Sequence, residues 1–125
     1  MNVDTRLACK LQGVIEEHSR LIIAFDFDDT VYPFSGDDTI CFEVRETLKW
    51  AQDQGHILIC YTCRSEQEEV LQFCQGEGIY YDRFNENHLQ LDGQKGKVFY
   101  NIFLDDKCGL PQALSTLQEV LRYNK

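Results

Sequence analysis

Three carboxylates and a threonine follow directly on an apolar run in Leu21-Ile22-Ile23-Ala24-Phe25-Asp26-Phe27-Asp28-Asp29-Thr30. Carboxylates this close repel one another, so a bound cation or a shared proton would stabilise them. A carboxylate beside a metal ion can attack phosphorus and form an acyl phosphate, and Asp26, where the apolar run stops, is the candidate nucleophile. Asp28 could protonate a leaving oxygen and then activate water. Asp105 and Asp106 close another apolar run and could complete an all-oxygen Mg²⁺ site, since that ion commonly uses one or two carboxylates with water and phosphate. Thr62 ends a third such run and offers a hydroxyl. Arg64 could grip a phosphate or carboxylate bidentately. Lys97 or Lys95 could neutralise a transferring phosphoryl group.

The elements that must carry these residues can be read from periodicity. Leu7, Leu11, Val14 and Ile15 share a helical face over residues 5–18, and residues 21–27 read as a buried strand. Pro33, Ser35 and Gly36 mark a loop. Ile40, Val44, Leu48 and Ala51 recur at helical spacing before Gly55. Residues 56–61 form a second apolar strand. Ser65 and Glu68 fit a capping box, predicting a helix from Ser65 to about Gln75 whose free amides would attract anions. Short strands are expected over 79–81 and 89–91, loop over most of 83–98, and a strand over 99–104. Gly109 and Pro111 open a last helix whose Leu110, Leu114, Leu117 and Leu121 face inward. Alternation of this kind, with strands apolar throughout, predicts an α/β fold: a three-layer α/β/α Rossmann-like parallel sheet with helices on both faces. In such sheets ligands bind beyond the carboxyl ends of the strands. That rule would bring Asp26 and Asp28, Thr62, and Asp105 and Asp106 to one rim.

Composition sets outer bounds. The chain has 125 residues, which predicts one domain spanning 1–125 with residues 1–20 as an N-terminal helix packed on the core. The net charge of −9, with scattered Lys and Arg, argues against a nucleic-acid partner but leaves room for a small phosphorylated ligand. No stretch suits a membrane span or signal peptide, so a cytoplasmic protein is expected. The six cysteines then read as free thiols. Cys60 and Cys63 make a lone CxxC, weak as a zinc signal; Cys60 lies in a strand and reads as core, Cys63 in the site loop.

In Phe25-Asp26-Phe27-Asp28-Asp29-Thr30-Val31, Ile57-Leu58-Ile59-Cys60-Tyr61-Thr62 and Ile102-Phe103-Leu104-Asp105-Asp106 the chain resembles the haloacid dehalogenase-like (HAD) phosphohydrolases. The first segment is similar to that family's strand followed by DxDx(T/V), the second to its strand ending in Ser or Thr, and the third to its terminal acidic pair. Thr62-Cys63-Arg64 looks like the TxR of many small members. The resemblance implies Asp26 as nucleophile, Asp28 as general acid/base, and Thr62 as phosphoryl-binding residue. It implies Mg²⁺ held by Asp26, the Asp28 main-chain carbonyl and Asp105, with Asp106 nearby. It favours Lys97 over Lys95 as the basic residue, and places Cys63 and Arg64 at the substrate. It implies a small member without a cap, whose open site accepts a large substrate or borrows a lid from a second copy in a homo-oligomer. The resulting expectation is a Mg²⁺-dependent phosphomonoester hydrolase acting through an aspartyl phosphate.

Each residue also has a structural alternative. Thr62 could cap a turn, Asp105 and Asp106 could cap the last helix, and Arg64 could pair with Glu68. Lys95 and Lys97 could be solvated charges, and Asp29 suits loop support better than reaction. Tyr32, Phe34, Tyr80 and Tyr81 suit packing better than a pocket, and His18, His56 and His88 carry no assigned role. For the whole chain the alternatives are a catalytically silent phosphate- or Mg²⁺-binding regulatory module, a signalling receiver domain, or a Mg²⁺-dependent nuclease.

Overall fold

A computed structural model describes residues 2–88 and 98–125. In chain order the elements are α1 (Thr5–His18), β1 (Ile22–Phe25), α2 (Thr39–Asp53), β2 (Ile57–Cys60), α3 (Gln67–Gly76), β3 (Arg83–Phe84), β4 (Ile102–Leu104) and α4 (Leu110–Tyr123). The strands form one parallel sheet in the order β3-β2-β1-β4. This is a Rossmann-like α/β fold, with β1 at its centre between β2 and β4.

Alternation of side chains along each strand sorts the core. Ile23, Phe25, Leu58, Cys60, Ile102 and Leu104 join one cluster with buried residues from all four helices. Ile22, Ala24, Ile57 and Ile59 form a second, packed by Tyr61, Val98, Phe99 and Phe103. Right-handed crossovers account for this asymmetry. The steps β1 to β2 to β3 run in one direction across the sheet, so α2 and α3 lie on the same face. Among the described residues, the second cluster is met by strand ends and the connection into β4 rather than by a helix, so helices expected on both faces are found packed on one.

Helices α1, α2 and α4 sit where the apolar spacing predicts. In α1 the Asp4 side chain accepts from Leu7 N–H at 3.1 Å, and Ser19 closes the other end in the left-handed region. The inward leucines of α4 are all buried, each contributing roughly 1.5–3 kcal/mol against exposure. Two expectations are corrected. The helix expected from Ser65 begins at Gln67 and has no side-chain cap bond, because Ser65 and Glu66 continue the loop that leaves β2. The strand expected over 79–81 lies instead at Arg83–Phe84: Ile79 N–H bonds Cys74 O at the end of α3, and the first backbone bond to β2 is from Asp82 N–H to Leu58 O at 2.7 Å. The strand expected over 89–91 lies outside the described residues.

At the sheet's other end, Leu21 N–H donates to Nδ1 of His56 at 2.9 Å. His56 is buried, and burial pushes its pKa down. A neutral ring accepting at Nδ1 therefore carries its proton on Nε2. This histidine is a fastener between β1 and β2, a role its sequence position did not reveal.

Candidate active site

The carboxyl ends of β1, β2 and β4 meet at one rim, and hydrogen bonds of the sheet continue into it. Asp26 N–H donates to Leu104 O and Tyr61 N–H to Phe25 O, both at 2.9 Å. The residues just past the three strands are thus held side by side as firmly as strand residues.

Asp26 is half-buried, and its carboxylate accepts from Phe27 N–H and the Thr62 hydroxyl. Burial is the chief cause of its raised pKa, and the charges of Asp105 and Asp28 add to it, while the two hydrogen bonds oppose. One carboxylate oxygen from each of Asp26, Asp105 and Asp106 lies within 4.8 Å of the others. Asp106 is pushed up by burial first, then by its hydrogen bond to Asp105 and the charges of Asp105 and Asp26; Lys107 works against this. The Asp106 N–H donates to Thr30 Oγ1 at 3.0 Å, and Thr30 is fully buried. Asp105 Oδ1 accepts from Lys107 N–H at 3.0 Å. Neither aspartate caps the last helix, whose cap position is Gly109 at φ 65°.

Thr62 is set by a residue that the motif pattern does not include. Asn85 accepts from Thr62 N–H at 2.8 Å through Oδ1 and donates to Thr62 O at 2.9 Å through Nδ2. Asn85 stands just past β3 at φ 53°, a left-handed conformation that asparagine tolerates better than most residues. Its own N–H donates to Cys60 O at 2.8 Å. The sequence offered no signal beyond an asparagine in a stretch read as loop.

Asp28 and Asp29 part ways after Asp26. Asp29, also left-handed at φ 58°, accepts from Ser35 N–H and Oγ at 2.8 and 2.9 Å and so secures the loop. Asp28 instead pairs with Arg64, whose Nε lies 3.1 and 3.0 Å from its two oxygens and whose Nη2 lies 3.0 Å from Oδ1. Arg64 also approaches Glu69, at 3.8 Å, rather than Glu68. The buried Arg45 anchors the far side of the loop, donating to Val31 O at 2.9 Å and to both oxygens of Asp38 at 2.7 and 2.8 Å.

A cavity of about 300 Å³ opens on this rim, where Tyr61, Cys63, Phe103 and Lys107 join Asp26, Thr62 and Asp105. A larger groove, of about 640 Å³, lies away from the rim between α1 and α4. Cys63 is exposed at the site, whereas Cys60 is buried and its thiol pushed strongly up, so the CxxC divides between core and surface. Lys95 and Lys97 lie outside the described residues.

With this geometry in view, comparisons with known proteins give the fold. It is shared. A solved structure, that of the conserved protein coded by locus from Bacteroides thetaiotaomicron, matches with a TM-score of 0.63 and 24% sequence identity, over 85% of this chain and 93% of that one. No protein-family model and no curated protein matches the chain. Among the described residues, no helix is long and apolar enough to cross a membrane.

Proposed function

We propose that the protein is a Mg²⁺-dependent phosphomonoester hydrolase that works through an aspartyl phosphate on Asp26, the activity implied by its resemblance to the HAD phosphohydrolases. One observation carries this reading: three adjacent parallel strands deliver Asp26, Thr62 and the Asp105-Asp106 pair to a single rim. Core packing alone gives no reason for that convergence.

The donor set fits Mg²⁺. Three carboxylates offer hard oxygen ligands close together, and Asp26 and Asp106 have pKa values raised first by burial and then by the neighbouring negative charge. Asp26, Asp105 and Asp106 would hold the ion together with the Asp28 main-chain carbonyl, and the bound ion would offset repulsion between the carboxylates and a phosphate dianion. The chain's own residues carry the chemistry. An Asp26 oxygen attacks phosphorus as the ester P–O bond breaks, and Asp28 in its acid form gives its proton to the departing oxygen. Asp28 then takes a proton from the water that attacks phosphorus, which releases inorganic phosphate and restores the Asp26 carboxylate. The Thr62 hydroxyl positions a phosphoryl oxygen, and Lys97 remains the family-based candidate for charge neutralisation; Lys107 lines the cavity.

The substrate is a small phosphorylated molecule, in keeping with the acidic chain and the modest cavity. A second copy could complete the open site. All six cysteines are free, which suits a reducing compartment such as the cytoplasm. The test is hydrolysis of para-nitrophenyl phosphate in Mg²⁺, abolished by EDTA and by Asp26→Asn; undiminished activity of Asp26→Asn would eliminate the mechanism. The pairing of Asp28 with Arg64 favours a second reading, a phosphate-binding module without turnover. Beryllium fluoride binding with no hydrolysis across a panel of phosphate esters would support it.

A further inference from the structure

Arg64 is oriented more tightly than a loop arginine needs to be. Its guanidinium carbon lies 5.4 Å from the Phe27 ring centroid and 5.8 Å from that of Tyr32. Those rings stack 5.4 Å apart within 1° of parallel, and Phe73 meets both edge-on. The aromatic platform steadies the guanidinium through its π faces and leaves the N–H fork free to bond in its own plane. That fork is turned to Asp28. The side chains of Arg64 and Asp28 are 24% and 35% exposed, so an incoming ligand can reach the pair.

The pairing is also in register. Asp26 and Asp28 on one loop meet Thr62 and Arg64 on the next, and Arg64 N–H donates to Thr62 Oγ1 at 3.2 Å. A phosphoryl group at Thr62 therefore brings the rest of its molecule to within two residues of an arginine fork. Planar bidentate anions are what such a fork recognises. The carboxylate it now holds is the one the hydrolysis needs free.

We propose that Arg64 is a latch: it closes on Asp28 when the site is empty and opens onto a second anionic group of the substrate. This inference rests on the phosphate-ester reading of the same site, and it narrows the substrate class to small phosphate esters that carry a second anion, a carboxylate or another phosphate. Arg64 exchanges one charge-assisted pair for another, so opening costs little, and Asp28 is released only when the correct ligand arrives. An ester lacking the second anion leaves the latch mostly shut and turns over slowly, as expected for para-nitrophenyl phosphate, whose nitrophenolate departs without needing a proton from Asp28.

The test uses phosphonates, which cannot be hydrolysed. In the presence of Mg²⁺, binding of phosphonopropionate, propylphosphonate and methylenebisphosphonate is measured by calorimetry on the wild-type chain, Arg64→Gln and Arg64→Lys. The nitrogen–proton NMR signal of Arg64 Nε is followed in the same titrations. The two bis-anionic ligands are expected to bind the wild type roughly 10- to 100-fold more tightly than propylphosphonate, the range for hydrogen bonds between charged groups. They should move the Nε signal where propylphosphonate does not. Arg64→Gln should erase the preference, and Arg64→Lys should keep only part of it. Should Arg64→Gln fail to fold, the wild-type preference and the Nε signal decide alone. Binding of all three ligands without preference, an unmoved Nε signal, or a preference that survives in Arg64→Gln would each overturn the latch and leave the phosphate-ester reading intact. If no phosphonate binds, that reading fails and the latch fails with it. A preference confined to one bis-anion would support the latch and identify which second anion opens it.

Discussion

Asp26→Asn should destroy activity and stabilise the metal-free fold. The site gathers oxygens of Asp26, Asp105 and Asp106 within 4.8 Å. At that separation two unit charges repel by about 3.5 kcal/mol at an effective dielectric of 20, and by about 0.9 kcal/mol in bulk water. Asp106 is exposed and Asp26 half-buried, so screening keeps the true cost near the lower figure. Asparagine keeps an oxygen to accept from Phe27 N–H and Thr62 while shedding the charge. A net gain of about 1 kcal/mol follows, or roughly 3–6 °C in Tm for a chain of this size. The sign is fixed by linkage. Folding raises the pKa of Asp26 above its usual 3.8, so the native state binds more protons than the unfolded chain. The contribution of Asp26 to wild-type stability must then fall as pH rises from about 3.8 through its raised pKa. Removing the group should flatten that slope. Thermal denaturation in EDTA from pH 4 to 8 measures both effects. With Mg²⁺ the order should reverse, since the wild type gains by binding and the variant gains less. A lower Tm for Asp26→Asn in EDTA would refute the claim that crowded charge destabilises the free site.

Asn85→Ala should leave the fold intact but weaken phosphate binding about tenfold, because Thr62 loses both backbone partners at once; binding of inorganic phosphate measures it. Arg45→Met should cost about 2 kcal/mol in urea unfolding, since Val31 O is stranded in the core while the half-exposed Asp38 can turn to water. Brief alkylation of the native protein should label Cys9, Cys63 and Cys108 and spare Cys41, Cys60 and Cys74, which are buried, with thiol pKa values pushed up to about 11 for Cys41 and about 12 for Cys74; peptide mass spectrometry reads the pattern, and phosphate with Mg²⁺ should protect Cys63 alone.

Much of the scaffold was legible because it is written in apolar periodicity. The inward faces of α1, α2 and α4 and the apolar runs of β1 and β2 are determined by burial, which hydrophobic spacing reports directly. Convergence of Asp26, Thr62 and Asp105 was legible for a related reason: once the strands are parallel, everything just past their carboxyl ends shares a rim. The failures share a different cause. The start of α3 and the position of β3 depend on how a loop leaves one strand and joins an edge, where few buried contacts constrain the local sequence. Ser65 and Glu68 satisfied a local capping pattern, yet loop geometry between Thr62 and Gln67 set the helix start. Asn85 and Arg64 act through hydrogen bonds to residues more than 20 positions away, and no spacing rule encodes such pairs. The Arg64–Glu68 pair, the structural alternative from helical spacing, gave way to Asp28 because Arg64 precedes the helix rather than lying on it.

The central claim is that Asp26 itself takes the phosphoryl group. Borohydride reduces an aspartyl phosphate to homoserine, so quenching turnover of a phosphate ester in Mg²⁺ with borohydride marks the nucleophile for peptide sequencing by mass spectrometry. The account predicts homoserine at position 26, dependent on Mg²⁺ and absent from Asp26→Asn. Turnover that leaves Asp26 unmodified while another side chain carries the mark would contradict it.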